Sequence, residues 1–314
     1  MTKLTTSSVR AFAPGGIGNI GPGIDILGCA LTGPGDSVTA TLADAGGIVV
    51  DEPGHPDLPR DPALHASAIA AAAVLKRAGV SAGIRLAIHK ALPLAGGQGG
   101  SAASAVAGAV AVNTLLGGPL DPTELLYAAL VAEEQLAGRH IDNLAPALFG
   151  GILLIRSIEP LRFESLPVPA NLRIVIVHPH MQLRTADARA VLPATVDRAT
   201  ALAQASAVSA MTAAFCLGDL RILRGAIDDR IAEPARAPLL PGFLAAKRAA
   251  LEAGALGCSI SGGGPSVFAM ADSDITARTV LRAMIDAYEN AGMMATGRVA
   301  EIDRQGARIE EHHG

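Results

Sequence analysis

Between Pro93 and Ala103 the chain reads Pro-Leu-Ala-Gly-Gly-Gln-Gly-Gly-Ser-Ala-Ala. Glycines at 96, 97, 99 and 100 let several backbone N–H groups face one concavity, an arrangement that suits an anion. The run Ala102–Leu116 is small and apolar and reads as a central helix. A helix starting near Ser101 adds unpaired first-turn N–H groups and the positive end of its dipole. A triphosphate is the natural ligand for such a loop, and the Ser101 hydroxyl could reach a Mg2+ ion. No Lys-Ser/Thr pair follows the glycines, so the loop is not a Walker A sequence. No acidic residue sits where a dinucleotide fold would need one. The plain alternative is a glycine turn that lets a helix pack tightly.

A second glycine-dense stretch, Pro14-Gly-Gly-Ile-Gly-Asn-Ile-Gly-Pro-Gly-Ile-Asp25, follows a short apolar run at Val9–Ala13. So many flexible residues are costly to order, which makes sense where backbone must approach something closely. Asn19 and Asp25 put an amide and a carboxylate into this loop, groups that can hold an ammonium and a hydroxyl; an Asx turn is the structural alternative. His178 and His180 alternate at a strand end without a further ligand cluster, so they read as structural, as do His312 and His313.

The elements that must hold these loops follow from pattern. Asp36–Leu42, Gly47–Val50 and Ile84–Ile88 read as strands, and Ala63–Arg77, opened by Asp61 and Pro62 and stopped by Gly79, as a helix. Pro122–Leu136 is an amphipathic helix carrying Glu133 and Glu134. Strands are predicted at Gly151–Ile155, Leu172–Val177, Cys258–Ser261, Ser266–Ala271 and Ala295–Ile302. Helices are predicted at Val196–Leu217, Asp219–Ile231, Phe243–Ala253 and Ile275–Ala291. Strands and helices mix without strict alternation, which gives an α+β class in two domains, with a boundary near the proline-rich Glu159–Asn171.

Composition narrows the function classes. With 314 residues, 50% hydrophobic and 17% charged, the chain can build a sizeable core, and without Trp that core must rest on Ala, Leu, Ile and Val, with helices packed closely on small residues. A net charge of -4 without a basic stripe argues against nucleic acid as a partner. Ala91–Leu120 lacks charge, but its glycines, Pro93 and Asn113 speak for a loop and buried helix rather than a membrane span. Cys29, Cys216 and Cys258 form no C-x-x-C pair, and Met1–Arg10 has no hydrophobic signal core; both point to the cytoplasm.

Three stretches taken in order resemble the motifs of the GHMP kinase family. Pro14–Gly28 resembles P-A-S-S-A-N-L-G-P-G-F-D-x-L-G, Pro93–Ala103 resembles P-x-x-x-G-L-G-S-S-A-A, and Ser261-Gly-Gly-Gly-Pro-Ser266 resembles S-G-S-G-P-T. His140–Pro146, Thr185–Pro193 and Glu233–Gly242 resemble stretches of the homoserine kinase branch. Gln98 and Gly100 stand where the family has Leu and Ser, and Gly16, Ile17 and Ile24 also depart from its pattern.

The resemblance implies a two-domain GHMP kinase fold, with a ribosomal S5 domain 2-like N-terminal domain over 1–165 and a ferredoxin-like C-terminal domain over 166–314. It implies transfer of the ATP γ-phosphoryl group to L-homoserine, giving O-phospho-L-homoserine in threonine biosynthesis, and a homodimer. Nucleotide would lie on Pro93, Leu94, Ala95, Gly96, Gly97, Gln98, Gly99, Gly100, Ser101, Ala102, Ala103, Gly263 and Gly264. Substrate would meet Asn19, Asp25, His140, Asp142, Arg189 and Arg236, the two arginines clamping its carboxylate, since a guanidinium pairs with a carboxylate through two bonds. Asp25, Thr185 and Arg189 would be the catalytic set. Ser101 and Glu134 would hold Mg2+, with Glu133 as the alternative. Another acceptor alcohol within the family, or a relative that binds ligand with little turnover, are the competing readings.

Overall fold

The computed structural model describes residues 7–313. The first six residues of the Met1–Arg10 stretch, read above for a signal, lie outside the described residues. β1 (Ser8–Gly18) and β2 (Leu27–Ala43) run antiparallel on either side of the loop that carries Asn19 and Asp25. Both strands outrun the apolar stretches that predict them, because the glycines join the sheet. The register shifts between Pro14 and Gly16, and a side chain at Gly16 would collide with the Cys29 carbonyl.

β3 (Gly47–Glu52) and β4 (Gly83–His89) pair in parallel, so a crossover must join them, and α1 (Ala66–Ala78) supplies it. Helix α1 starts later than Ala63. Asp61 accepts the Ala63 N–H at 2.9 Å and closes a turn, and His65 takes the cap position. β5 (Ile152–Ser157) adds to β2, β6 (Arg162–Leu166) adds to β5, and the last strand, β11 (Arg308–His313), returns to pair with β1.

The second sheet has the order β10-β7-β9-β8, every neighbour antiparallel, from β7 (Arg173–Pro179), β8 (Gly257–Ile260), β9 (Val267–Ala271) and β10 (Ala295–Ala300). Two helices described below pack on it, one before β8 and one between β9 and β10. This strand–helix–strand–strand–helix–strand order is the ferredoxin-like one. The chain is therefore α+β in two domains. The change of sheet falls between Leu166 and Arg173. Because β11 sits in the first sheet, however, 166–314 is not a spatial unit; the register of β1 with β11 overrides the sequential cut.

The helices on the first sheet are α2 (Gly100–Leu115), α3 (Pro122–Leu136) and α4 (Leu144–Phe149). Helix α2 is buried on nearly all sides, as its uniformly apolar sequence requires. It approaches α1 so closely that the Ser67 hydroxyl donates to the Ser104 carbonyl at 2.9 Å. The later helices are α5 (Thr185–Ala190), α6 (Arg198–Leu217), α7 (Ala232–Arg236), α8 (Phe243–Glu252) and α9 (Asp274–Asn290). The predicted helix over Asp219–Ile231 is only a 3-10 turn at Leu220–Leu223. Asp229 instead folds back to accept the N–H groups of Ile231, Ala232 and Glu233, which starts α7. By length and composition α6 could cross a membrane. In this fold Met211, Ala214 and Phe215 enter the core, and Gln204 bonds to Pro22 and Asp229.

A Cβ at Gly108 would stand 2.8 Å from the Ser67 carbonyl oxygen. Helix propensity favours Ala over Gly by about 1 kcal/mol, whereas overpacking against backbone costs about 1–3 kcal/mol. Gly108→Ala is therefore expected to destabilise the protein by up to about 2 kcal/mol, measured by urea unfolding.

Candidate active site

The glycine loop between β4 and α2 is held by its carbonyl groups. Ala95 accepts from the Leu183 N–H at 3.2 Å, Gly96 from Ser266 N–H at 3.2 Å, and Gln98 from Gly16 N–H at 3.1 Å. Gly97 accepts from the Ser261 hydroxyl at 2.6 Å. These donors lie in the other glycine-rich loops and at the start of the second domain. The first helical bond of α2 runs from Ala103 N–H to Gly99, so Gly100, Ser101 and Ala102 have N–H groups without an intrahelical partner. All three residues line a cleft of about 500 Å3. Gly97 has φ 73°, and a Cβ there would lie 2.6 Å from the carbonyl oxygens of Ser261 and Gly264. No side chain fits that position.

The structure brings Asn19, His140, Thr185, Arg189, Arg236, Gly263 and Gly264 to the same cleft, with Pro93–Gly97 and Gly99–Ala102. Gln98 and Ala103 do not line it. Ala103 is buried in the core, and the Gln98 amide donates to the Ser266 hydroxyl at 3.1 Å behind the loop. Thr185 is the first residue of α5, not its cap, and is exposed.

Asn19 and Asp25 both take positive φ, at 52° and 58°. The Asn19 side chain accepts the Asp25 N–H at 2.7 Å, and Asp142 accepts the Asn19 N–H at 2.9 Å. The bond spans six residues, so it closes the whole loop rather than an Asx turn, and it holds Asp25 beside Arg189, which pairs with both carboxylate oxygens at 2.7 and 3.4 Å. Neither Asp25, which is partly exposed, nor the buried Asp142 lines the cleft. Polar atoms of Asp25, His140 and Asp142 lie within 4.8 Å of one another.

Glu134 is not a cleft residue. It pairs with Arg139, which also holds Glu159, on the outer side of α3. Neighbouring helix residues point about 100° apart, and it is Glu133 that turns inward, only 5% exposed. Of the two glutamates, only Glu133 lines the cleft. Glu133 lies 3.5 Å from His140 Nε2, and its Oε2 has no hydrogen-bond partner among the described residues. Burial pushes its carboxyl up to about 7, with nearby His140 opposing the shift and Asp142 adding to it. Burial pulls His140 down, but its bond to Asp142 at 3.2 Å and the two carboxylates outweigh that and raise it.

Arg236 is 3% exposed and donates to the carbonyls of Ala188 and Gly262, each at 3.0 Å. Burial pulls its pKa down, and it has no carboxylate partner among the described residues. Two of its donors position the loops, and the rest of the fork can take an anion.

Sequence reasoning passed over Lys90. Its ammonium sits almost wholly buried, paired with Asp36, and donates to the Gly100 carbonyl at 3.0 Å and the Ser104 hydroxyl at 2.9 Å. It thereby ties the first turn of α2 to β4. The signal available was its place as the last charge before the charge-free run.

The chain matches the model of the GHMP kinases N terminal domain over residues 65–151 and that of the GHMP kinases C terminal domain over 211–290. It is 41% identical to a homoserine kinase of Chlorobaculum tepidum, over 96% of this chain and 98% of that protein. It is 41% identical to a homoserine kinase of Arabidopsis thaliana, over 96% of this chain and 84% of that one. The crystal structure of a homoserine kinase from Cytophaga hutchinsonii superposes with a TM-score of 0.92 at 38% identity, covering 97% of this chain and 98% of that one.

Glu133 yields a pH signature. Its folded pKa lies above the ordinary carboxylate value, so the ionised form is penalised in the folded state only. The penalty is absent below about 4.5, grows as pH rises, and is complete above about 7. Without divalent metal, Glu133→Gln is therefore expected to melt a few degrees above wild type at pH 8, with the gap closing toward pH 5. Scanning calorimetry of both proteins across that range checks it.

Proposed function

The chain belongs to the GHMP kinase family and is an ATP-dependent homoserine kinase, and from that premise we propose how its cleft divides the work. The observation that carries the reading is that Gly100, Ser101 and Ala102, whose N–H groups have no intrahelical partner, line the cleft while the loop carbonyls bond elsewhere. They receive the triphosphate, backed by the α2 dipole. The neighbouring wall of Leu58, Leu64 and His65 offers an apolar end for the base.

Mg2+ fits the residues present. Glu133 has a buried oxygen without a partner, and Ser101 offers a hydroxyl at the helix start, an all-oxygen set of the kind this ion prefers. When bound, the ion neutralises phosphate charge. Arg236, a buried cation without a carboxylate of its own, takes the carboxylate of L-homoserine. Arg189 contributes beside it while held by Asp25, and Asn19 and His140 receive the amino end. Asp142 acts from behind by fixing Asn19 and His140.

The step is then direct. The side-chain hydroxyl oxygen of homoserine bonds to the γ-phosphorus as the bond to the β–γ bridging oxygen breaks, giving O-phospho-L-homoserine and ADP. Transfers of this kind depend on alignment and charge stabilisation more than on a base. Thr185, exposed at the cleft edge, is placed to hydrogen-bond the moving phosphoryl group. Asp25 serves as orienter of Arg189 rather than as base, since both its oxygens are engaged.

Residues 7–166 with β11 form the nucleotide-holding unit in this reading, and β7–β10 with their helices the other. We carry a homodimer from the family resemblance. We also place the enzyme in the cytoplasm, which agrees with an exposed free thiol at Cys216.

An ADP-release assay on L-homoserine, with L-threonine and mevalonate as controls, tests the assignment; turnover with L-homoserine alone is expected. Glu133→Gln is expected to lower kcat by about 10²-fold, whereas Glu134→Gln stays within about twofold; equal loss in both would remove the metal assignment. Arg236→Met is expected to lower kcat/KM for L-homoserine by more than about tenfold and to leave the KM for ATP nearly unchanged.

A further inference from the structure

The glycine loop has a second side. Behind it the two domains leave another cleft of about 500 Å3, lined by Gln98 but not by Gly97, Gly99, Gly100 or Ser101. His55, Lys90, His178, Gln182, Thr296 and Arg298 complete its polar walls, Lys90 and Gln182 lining the front cleft as well, and no aspartate or glutamate among the described residues lines it. The charge of Lys90 is answered by Asp36 beneath it. Arg298 on β10 has no such answer. Its Nη1 donates to the Thr32 carbonyl at 3.0 Å, and its Nη2 is buried without an acceptor among the described residues. Burial alone pulls its pKa down, and no acidic group offsets it.

A half-buried guanidinium held by one carbonyl is costly unless a counter-charge completes its bonding. We propose that this rear cleft is a second binding site, for a small oxyanion of the phosphate or carboxylate kind, centred on Arg298. A planar guanidinium suits such an anion, and Thr296, Gln182 and His178 supply neutral polar groups around it. The wall it would touch is part of the loop scaffold. Gln98 and His178 both bond the Ser266 hydroxyl at 3.1 Å, and Ser266 in turn holds the Gly96 carbonyl. The inference stands on the cleft's own geometry and does not need the active-site assignments to hold.

The test is calorimetric titration of inorganic phosphate into the full chain saturated with a non-hydrolysable ATP analogue, Mg2+ and L-homoserine, so that the γ-phosphoryl position of the front cleft is filled as well. One binding event is expected in wild type. Arg298→Met should weaken it at least about tenfold and Arg298→Lys by less, while kcat without phosphate stays within about twofold. Thr296→Asp, at an exposed position on the same wall, should abolish it by setting a carboxylate beside Arg298, and serves if Arg298→Met does not fold. Acetate in place of phosphate tells a carboxylate ligand from a phosphate one by which binds more tightly. No binding to wild type, or equal binding to wild type and to the folded Arg298 and Thr296 variants, overturns the proposal.

Discussion

The glycine loop works because its carbonyl groups are already bonded. Ala95, Gly96, Gly97 and Gln98 give their oxygens to Leu183, Ser266, Ser261 and Gly16. These bonds fix the loop that leads into α2, whose first-turn N–H groups on Gly100, Ser101 and Ala102 have no intrahelical partner. Preorganised donors of this kind need no rearrangement when charge moves, which is where enzymes of phosphoryl transfer obtain most of their advantage. The donors that fix the loop come from both domains, so the seam between the sheets and the wall of the front cleft are one structure. Gly97 is a tight point, with no room for a side chain against Ser261 and Gly264.

Charge in the front cleft is arranged by burial. Two carboxylates, Glu133 and Asp142, flank His140, and one arginine is neutralised by Asp25 while the other is not. Breaking such buried pairs is costly, and leaving one buried cation open creates a place for a carboxylate. The inward glutamate is held near neutrality by its surroundings, a state that a divalent cation would reverse. Gln98, a departure from the family pattern, faces away from this chemistry and serves as a polar tie between the loop and Ser266.

Much of the molecule was legible in the sequence by itself. Period and capping located most strands and helices, because alternation and apolar runs report burial directly. The charge-free Ala102–Leu116 run announced a central helix, and three glycine-rich loops in one order carried the family resemblance. What local pattern misjudged were stretches governed by distant partners. Glycines at 16 and 18 read as loop but extend β1, since only contact with β2 makes their lack of a side chain an asset. The 219–231 helix failed because Asp229 found backbone partners that a single strand of text does not display.

The sequence determined the kind of chemistry: an anion cradle, a metal-compatible hydroxyl and carboxylate, and arginines for a carboxylate substrate. Tertiary structure decided which residue of each kind reaches the cleft. Glu133 and Glu134 are adjacent and chemically identical, and only the packing of α3 turns one inward and ties the other to Arg139. Arg189 and Arg236 look equivalent as letters, yet one is paired and one is open because Asp25 reaches only the first. Residue type fixes what a side chain can do, whereas burial and partners more than 100 positions away, as between Asp25 and Arg189, fix whether it does so.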